Sequence, residues 1–140
     1  MTKNILPPTH RVGAFAVIRD TQERVLISHR GDIPFYNLPG GGIEPGESVS
    51  DGLLREVREE TGLIVKLTKL VGVYSKIEKN EVIITFDAEV IGGELQPTAE
   101  AIHHVWVTLG ELEKYQILAT HLERIYDSFR NQGHAVIKEQ

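Results

Sequence analysis

The chain has 140 residues, a hydrophobic fraction of 41% and a charged fraction of 25%, which are typical of a single globular domain spanning 1–140. Its formal net charge of −5 argues against a protein held on nucleic acid or on an anionic membrane by a basic face. The absence of cysteine excludes disulfides, thiolate metal sites and a cysteine nucleophile. We expect a cytoplasmic protein, because the N-terminus lacks a signal-peptide core and no apolar run approaches the roughly 20 residues of a membrane span.

Apolar runs along the chain predict five strands, at 11–20, 24–30, 63–75, 81–91 and 103–108. The first two flank a short turn and are predicted to form a hairpin. Residues 1–10 are expected to be an extended lead-in. Loops are predicted at 31–42, with a short extended piece at 36–38, and at 92–100.

Helical patterns cover 47–61 and 109–131, the second in one or two pieces, and the tail after Gly133 is predicted to be frayed. Ser48 supplies a start signal for the first helix and Gly62 a stop signal. The mixture of strands and helices predicts an α+β fold, in which helices flank a mixed sheet.

The first helix carries an unusual group of carboxylates. Its apolar stripe is formed by Val49, Leu53, Leu54 and Val57. Glu60 falls within roughly 45° of the stripe's centre and Glu56 within roughly 90°. Glu59 lies further round, and Arg55 is predicted to point to the outer side. A carboxylate at the edge of the core needs a partner, and a divalent cation is a natural one.

A glycine run, Gly40 to Gly42, shortly precedes this helix. Glycine permits a close approach of backbone and unusual φ angles, so the run can offer carbonyls to a metal or amides to a phosphate. The sequence is neither a Walker A loop nor G-x-G-x-x-G. A plain turn is the alternative interpretation.

The stretch from Gly41 to Leu63, GGIEPGESVSDGLLREVREETGL, resembles the Nudix box, G-x5-E-x7-R-E-U-x-E-E-x-G-U, where U is a bulky aliphatic residue. Every fixed position agrees, and the preceding Leu38-Pro39-Gly40 resembles the common lead-in. The chain is thereby identified as a member of the Nudix hydrolase family, which includes MutT-like proteins.

The resemblance implies an α/β/α sandwich and hydrolysis of a nucleoside diphosphate linked to another group, such as a nucleotide sugar or ADP-ribose. It implies magnesium, with manganese as a substitute. The implied metal ligands are Glu56, Glu59, Glu60 and a backbone carbonyl of Gly40 or Gly41. A homodimer is also possible, and the expected partner is a small nucleotide-derived substrate.

The catalytic candidates implied by the resemblance are Glu56, Glu59, Arg55 and the loop residue Glu100. Glu47 is expected to pair with Arg55 and to support the loop. For the substrate, Arg30 and Gly40 are candidates to contact phosphate and Tyr36 is a candidate to stack on a base. Each of Arg30, Tyr36 and Glu100 also has a plain structural interpretation, as a surface charge or as core packing.

The substrate stays open at the level of sequence. The region about 16 residues beyond the box reads SKIEKNEV and lacks the proline or tyrosine that marks some specialised family members. A house-cleaning nucleoside triphosphate pyrophosphohydrolase is one alternative. A non-catalytic nucleotide-sensing module is another, although all box glutamates are present.

Overall fold

We describe the protein from a computed structural model, which covers residues 6–130 and 133–140. Within these ranges the chain forms eight strands, two α-helices and two 3₁₀ turns, the latter at Ile77–Lys79 and Leu109–Lys114. The strands and helices are β1 (Arg11–Arg19), β2 (Val25–His29), β3 (Tyr36–Asn37), β4 (Gly40–Gly42), α1 (Val49–Thr61), β5 (Leu63–Lys76), β6 (Glu81–Gly93), β7 (His103–Val107), α2 (Ala119–Arg130) and β8 (Val136–Glu139).

The strands form one mixed sheet with the order β3-β2-β1-β6-β5-β8, while β4 pairs with β1 and β7 pairs with β2. The β1–β6 and β5–β8 pairs are parallel, and the other strand pairs are antiparallel. The predicted hairpin of β1 and β2 is present and its register places Arg19 opposite Val25. Most of β1 pairs instead with β6, and β2 with β7.

The two helices cover opposite faces of the sheet. Side chains alternate along β1, so Ala14, Ala16 and Ile18 face the cluster under α1, whereas Val17 faces the cluster under α2. Leu53 and Val57 of α1 are fully buried in the first cluster and Ile125 of α2 in the second. This α/β/α sandwich confirms the predicted fold class. No α-helix within the described residues is long and apolar enough to cross a membrane.

The tail predicted to be frayed forms strand β8, so that prediction is wrong. Val136 pairs with Gly72 of β5, where an added Cβ would lie 2.7 Å from the Val136 side chain. Lys138 donates to Asp127 of α2 at 2.8 Å. The absence of a side chain at position 72 therefore admits the strand, and an ion pair ties it to α2.

Other predicted elements agree with the structure only in part. The first helix begins at Val49 rather than at residue 47, since Ser48 is its N-cap. The glycine run predicted as loop is strand β4. The second helical region is divided, as one alternative allowed, into the 3₁₀ turn and α2. Residues 1–5 of the predicted lead-in and residue 131 of the predicted helix lie outside the described residues.

Candidate active site

Helix α1 presents its carboxylates at the edge of the sheet because both of its ends are capped locally. The Ser48 hydroxyl accepts a hydrogen bond from the Asp51 N–H at 3.0 Å. At the other end Gly62 has a φ of 80°, and its N–H donates to the Arg58 carbonyl. With the apolar stripe buried, Glu56 and Glu60 are half-buried beside the core and Glu59 is exposed.

Arg55 connects the helix to the loop that precedes it. Its Nε and Nη2 atoms donate to both carboxylate oxygens of Glu47, at 3.0 and 2.7 Å. Its Nη1 lies 3.3 Å from Glu56 Oε1 and 3.1 Å from Glu59 Oε2. The Glu47–Arg55 pair implied by the resemblance is present and lowers the pKa of Glu47 to about 2. The expectation that Arg55 points away from the carboxylates is wrong, because its long side chain curves back over them.

The glycine run approaches the carboxylates closely. A Cβ on Gly41 would lie 2.8 to 2.9 Å from the carboxylate atoms of Glu56. Gly40 has a φ of 148°, and a Cβ there would lie 2.1 Å from the Ala14 carbonyl oxygen. The N–H of Gly40 donates to Glu60 Oε2 at 3.3 Å. Two consecutive glycines therefore let β4 pass between β1 and the acidic side of α1.

The two candidate carbonyls for a metal differ in their surroundings. Gly41 pairs with Ala14 in the β1–β4 ladder, and two residues later the Ile43 N–H donates to the Val12 carbonyl at 2.9 Å. Alternate residues of an antiparallel ladder share a hydrogen-bonding direction, so the peptide groups of Gly41 are engaged with β1. The N–H of Gly40, which occupies the alternate position of the ladder, donates to Glu60 Oε2 instead.

The loop that carries Glu100 is anchored to the C-terminal end of α1. The Thr98 hydroxyl donates to the Glu60 carbonyl at 2.9 Å, and the Gln96 N–H donates to the Thr61 carbonyl at 2.8 Å. His104 Nε2 donates to the Gln96 carbonyl at 2.8 Å. The last carbonyls of a helix have no intrahelical partner, so the bonds from Thr98 and Gln96 supply partners for two of these carbonyls and also position the loop.

Three carboxylates converge as a result of these constraints. Glu56, Glu59 and Glu100 each place one oxygen within 4.8 Å of the other two. Glu60, one of the predicted ligands, is outside this group and lies between Glu56 and the Gly40 amide. The loop residue Glu100, predicted as a catalytic candidate, thus completes the cluster, and the role of Glu60 as a ligand stays a prediction.

The pKa values of the two half-buried carboxylates, Glu60 and Glu56, fit a site for a divalent cation. Burial, the nearby Glu56 and Glu100 raise the pKa of Glu60 to about 8, against the opposing hydrogen bond from the Gly40 amide. Burial, together with Glu100 and Glu59, also raises the pKa of Glu56 despite Arg55. Oxygen-rich carboxylate sets suit Mg²⁺ and Mn²⁺, whereas softer metals favour nitrogen and sulfur ligands. The residues present therefore fit the implied metal.

A cleft of about 600 Å³ opens beside the carboxylates, a size usual for small-molecule sites. Its lining includes Glu56, Glu60 and Glu100, and the glycines Gly40 and Gly41. The remaining lining residues are Phe15, Arg30, Asp32, Ile33, Asn37, Ala99, Leu118 and His121. Acidic groups and backbone therefore form part of the wall, and a mixture of apolar and polar groups forms the rest.

Of the residues predicted to contact substrate, Arg30 lines the cleft and pairs with Asp32 at 2.8 Å. Tyr36 does not line it, which corrects the prediction that this ring stacks on a base. Its ring packs edge-on against His29, His103 and Tyr115 at centroid distances of 5.1, 6.1 and 5.5 Å. The strand alternation at β3 instead leaves the neighbouring Asn37 at the cleft.

The site residue that sequence reasoning missed is His121. It lies four residues before the fully buried Ile125 on α2, is only 6% exposed and lines the cleft. The helical spacing indicates a buried position, but nothing in the sequence brings α2 to the glycine run.

Comparison with known proteins decides the family. The NUDIX domain matches residues 9–129. This chain belongs to the Nudix hydrolase family.

Individual relatives of this Nudix hydrolase carry different names. A putative 8-oxo-dGTP diphosphatase from Bacillus subtilis is 30% identical over 120 residues, covering 85% of this chain and 79% of that protein. An ADP-ribose pyrophosphatase from Methanocaldococcus jannaschii is 37% identical over 112 residues, covering 75% and 66% respectively. A NUDIX hydrolase from Nitrosomonas europaea has the same fold, with a TM-score of 0.83 at 21% identity over 98% of this chain and 82% of that one. The predicted family and its class of enzyme, pyrophosphohydrolase, are thereby confirmed.

Proposed function

We propose that this Nudix hydrolase cleaves the pyrophosphate bond of a nucleoside diphosphate linked to another moiety, with magnesium or manganese bound at the acidic cluster. The observation that carries the proposal is the convergence of Glu56, Glu59 and Glu100, of which Glu56 and Glu100 line the cleft. The relative named as an ADP-ribose pyrophosphatase supports this substrate class. The relative named as a putative 8-oxo-dGTP diphosphatase supports a second candidate, an oxidised nucleoside triphosphate.

The metal would be held by Glu56, Glu59 and Glu100, with the carbonyl of Gly40 better placed than that of Gly41. Glu60 would reinforce the site from its half-buried position behind Glu56. A bound divalent ion supplies charge neutralisation of the pyrophosphate and a lowered pKa for a coordinated water.

Residues of the chain itself would orient the metal ligands, accept a proton and bind phosphate. Arg55 orients Glu56 and Glu59 and is itself held by Glu47, so its effect on turnover is exerted through the carboxylates. Glu100, an exposed member of the cluster and the one on an anchored loop, is the candidate to accept the proton of the attacking water. Arg30 at the cleft is free to exchange its exposed partner Asp32 for a phosphate oxygen.

The test is hydrolysis of ADP-ribose and of 8-oxo-dGTP with magnesium, with products separated by chromatography. AMP plus ribose phosphate from the first, or a monophosphate plus pyrophosphate from the second, identifies the substrate class. Glu56→Gln is expected to fold normally and to lose most activity, whereas Glu89→Gln, at an exposed position on β6, is expected to keep it. Near wild-type turnover in Glu56→Gln would overturn the metal site.

A non-catalytic sensor is the outcome if magnesium binds and no substrate in a panel of nucleotides is cleaved. We also propose that 1–140 acts as one domain on a small nucleotide, without a nucleic-acid or membrane partner. The homodimer and the cytoplasmic location likewise stay predictions, and gel filtration with light scattering tests the first of them.

A further inference from the structure

His121 stands at the cleft with one ring nitrogen bound and the other available. The Leu38 N–H donates to its Nδ1 at 3.0 Å. A nitrogen that accepts a hydrogen bond carries no proton, so the neutral ring bears its hydrogen on Nε2. Within residues 6–130 and 133–140, no side chain or backbone group hydrogen-bonds Nε2, and this atom is absent from the fully buried unpaired atoms. The Nε2–H therefore faces the cleft that His121 lines.

The ring is held in this orientation and in this protonation state. Burial, together with the positive charges of Arg124 and Lys76, keeps the pKa of His121 well below its ordinary value. The ring of Phe15 packs edge-on against it at a centroid distance of 4.7 Å. His121 is thus a fixed, uncharged donor, whereas a histidine that binds phosphate by charge would be an imidazolium.

The surroundings indicate which part of a substrate meets this donor. Phe15 and Leu118 line the same cleft as His121 and supply apolar surface. The acidic cluster, which would hold the proposed cation, and Arg30 are suited to bind the phosphates. An uncharged donor beside an aromatic ring suits an uncharged acceptor on a flat group, such as a carbonyl oxygen or a ring nitrogen of a base.

We propose that His121 is a specificity-determining residue that donates its Nε2 hydrogen to an acceptor on the nucleobase of the substrate. The inference rests on the proposed function for the nucleotide class of substrate. It adds a residue outside the Nudix box, on α2, to the groups that select the substrate.

Two substitutions separate the two ring nitrogens. In His121→Asn the side-chain oxygen sits near the position of Nδ1 and still accepts from Leu38, but no donor reaches the position of Nε2. In His121→Gln the amide nitrogen reaches the position of Nε2. The α,β-methylene analogues of ADP-ribose and 8-oxo-dGTP serve as probes, with magnesium present, and inorganic pyrophosphate serves as a probe without a base. Calorimetry gives each Kd and thermal melting reports on folding.

We expect His121→Asn to melt like the wild type and to bind at least one analogue roughly three- to tenfold more weakly, the loss of one neutral hydrogen bond. Its Kd for pyrophosphate is expected to be unchanged, and His121→Gln is expected to bind the same analogue nearly as well as the wild type. An unchanged Kd for both analogues in His121→Asn would refute the inference. A parallel loss for pyrophosphate would refute the assignment to the base.

The same experiment distinguishes this inference from the proposed function, because methylene analogues are bound without being cleaved. A wild type that binds the analogues but hydrolyses neither parent nucleotide overturns the pyrophosphohydrolase proposal, and the Kd of His121→Asn still decides the role of His121. A wild type that hydrolyses a parent nucleotide while His121→Asn binds its analogue normally overturns the role of His121 alone.

Discussion

Gly41→Ala tests the metal site without removing a single carboxylate. The added Cβ would lie 2.8 Å from the Cδ of Glu56 and 2.9 Å from both of its oxygens, which is 0.6 Å short of the 3.4 Å at which ordinary contact begins. The atoms it meets are at the end of a flexible side chain, and Gly41 does not have a positive φ. The fold therefore tolerates the methyl group while the Glu56 carboxylate must move.

The expected cost follows from how sensitive such sites are to position. Disturbing a group that orients a metal ligand lowers metal affinity by roughly 10- to 100-fold. A misplacement near 1 Å lowers turnover by about 100-fold. For a shift of at least 0.6 Å at Glu56, we expect manganese affinity to fall by roughly tenfold or more and kcat to fall with it.

Gly42→Ala is the matched control on the same strand. Its Cβ would meet only Arg11 Nη2, at 3.9 Å, so metal affinity and kcat are expected to match the wild type. Calorimetric titration with manganese, melting temperature and magnesium-dependent hydrolysis would be measured for all three proteins. Wild-type metal affinity in a folded Gly41→Ala would show that Glu56 does not bind the metal, and an equal loss in Gly42→Ala would show that the effect is not local.

Two further substitutions probe the supports of the site and of the fold. Thr98→Val removes the hydroxyl that donates to the Glu60 carbonyl at 2.9 Å, so Glu100 loses its fixed position. We expect kcat to fall by a larger factor than KM changes, and Thr98→Ser to restore kcat. Equal kinetics in the two variants would exclude a positioning role for Thr98. Tyr74→Phe removes the buried hydroxyl that donates to Asp127 at 2.9 Å; the free energy of unfolding in urea should fall by about 1 to 2 kcal/mol, and no change would show that the bond is not stabilising.

The parts of the structure that follow from local chemistry were predictable from the sequence. The first helix ends where Gly62 adopts a positive φ, and the Ser48 cap sets its start at Val49, two residues after the predicted position. Capping acts between residues three or four apart, so the sequence contains both partners. The spacing of the box then placed Glu56 and Glu59 on one helical surface, where the structure has them.

The parts that depend on distant partners were not predictable. The alternation in residues 136–139 is too short to predict a strand. Strand β8 forms because Val136 pairs with Gly72, which lies 64 residues earlier, and because Lys138 donates to Asp127, which lies 11 residues earlier. A tail without those partners would fray, as its composition suggests. The sequence pattern does not predict such pairings, because neither of the two paired segments carries a signal that identifies its partner.

In the candidate site, too, some residues were predictable from the sequence and others depend on distant contacts. Glu100 joins Glu56 and Glu59 in the cluster because Thr98 ties its loop to the end of α1, a contact that spans 38 residues. His121 was overlooked because α2 comes to Leu38 across 83 residues of sequence. A motif therefore predicts the residues it contains, and the tertiary fold supplies the residues that complete the cleft.

Arg55 bears on why the carboxylates tolerate one another. The guanidinium of Arg55 could by itself stabilise Glu56 and Glu59 without a metal. Its single positive charge is shared with Glu47, however, and Arg55 binds Glu47 through two hydrogen bonds. Its contacts to the other two are single bonds of 3.3 and 3.1 Å. Little positive charge is then left for Glu56 and Glu59, and burial together with Glu56 and Glu100 raises the pKa of the neighbouring Glu60 to about 8. Arg55 therefore braces the site through Glu47 and orients Glu56 and Glu59, and most of their negative charge is left for a cation to neutralise.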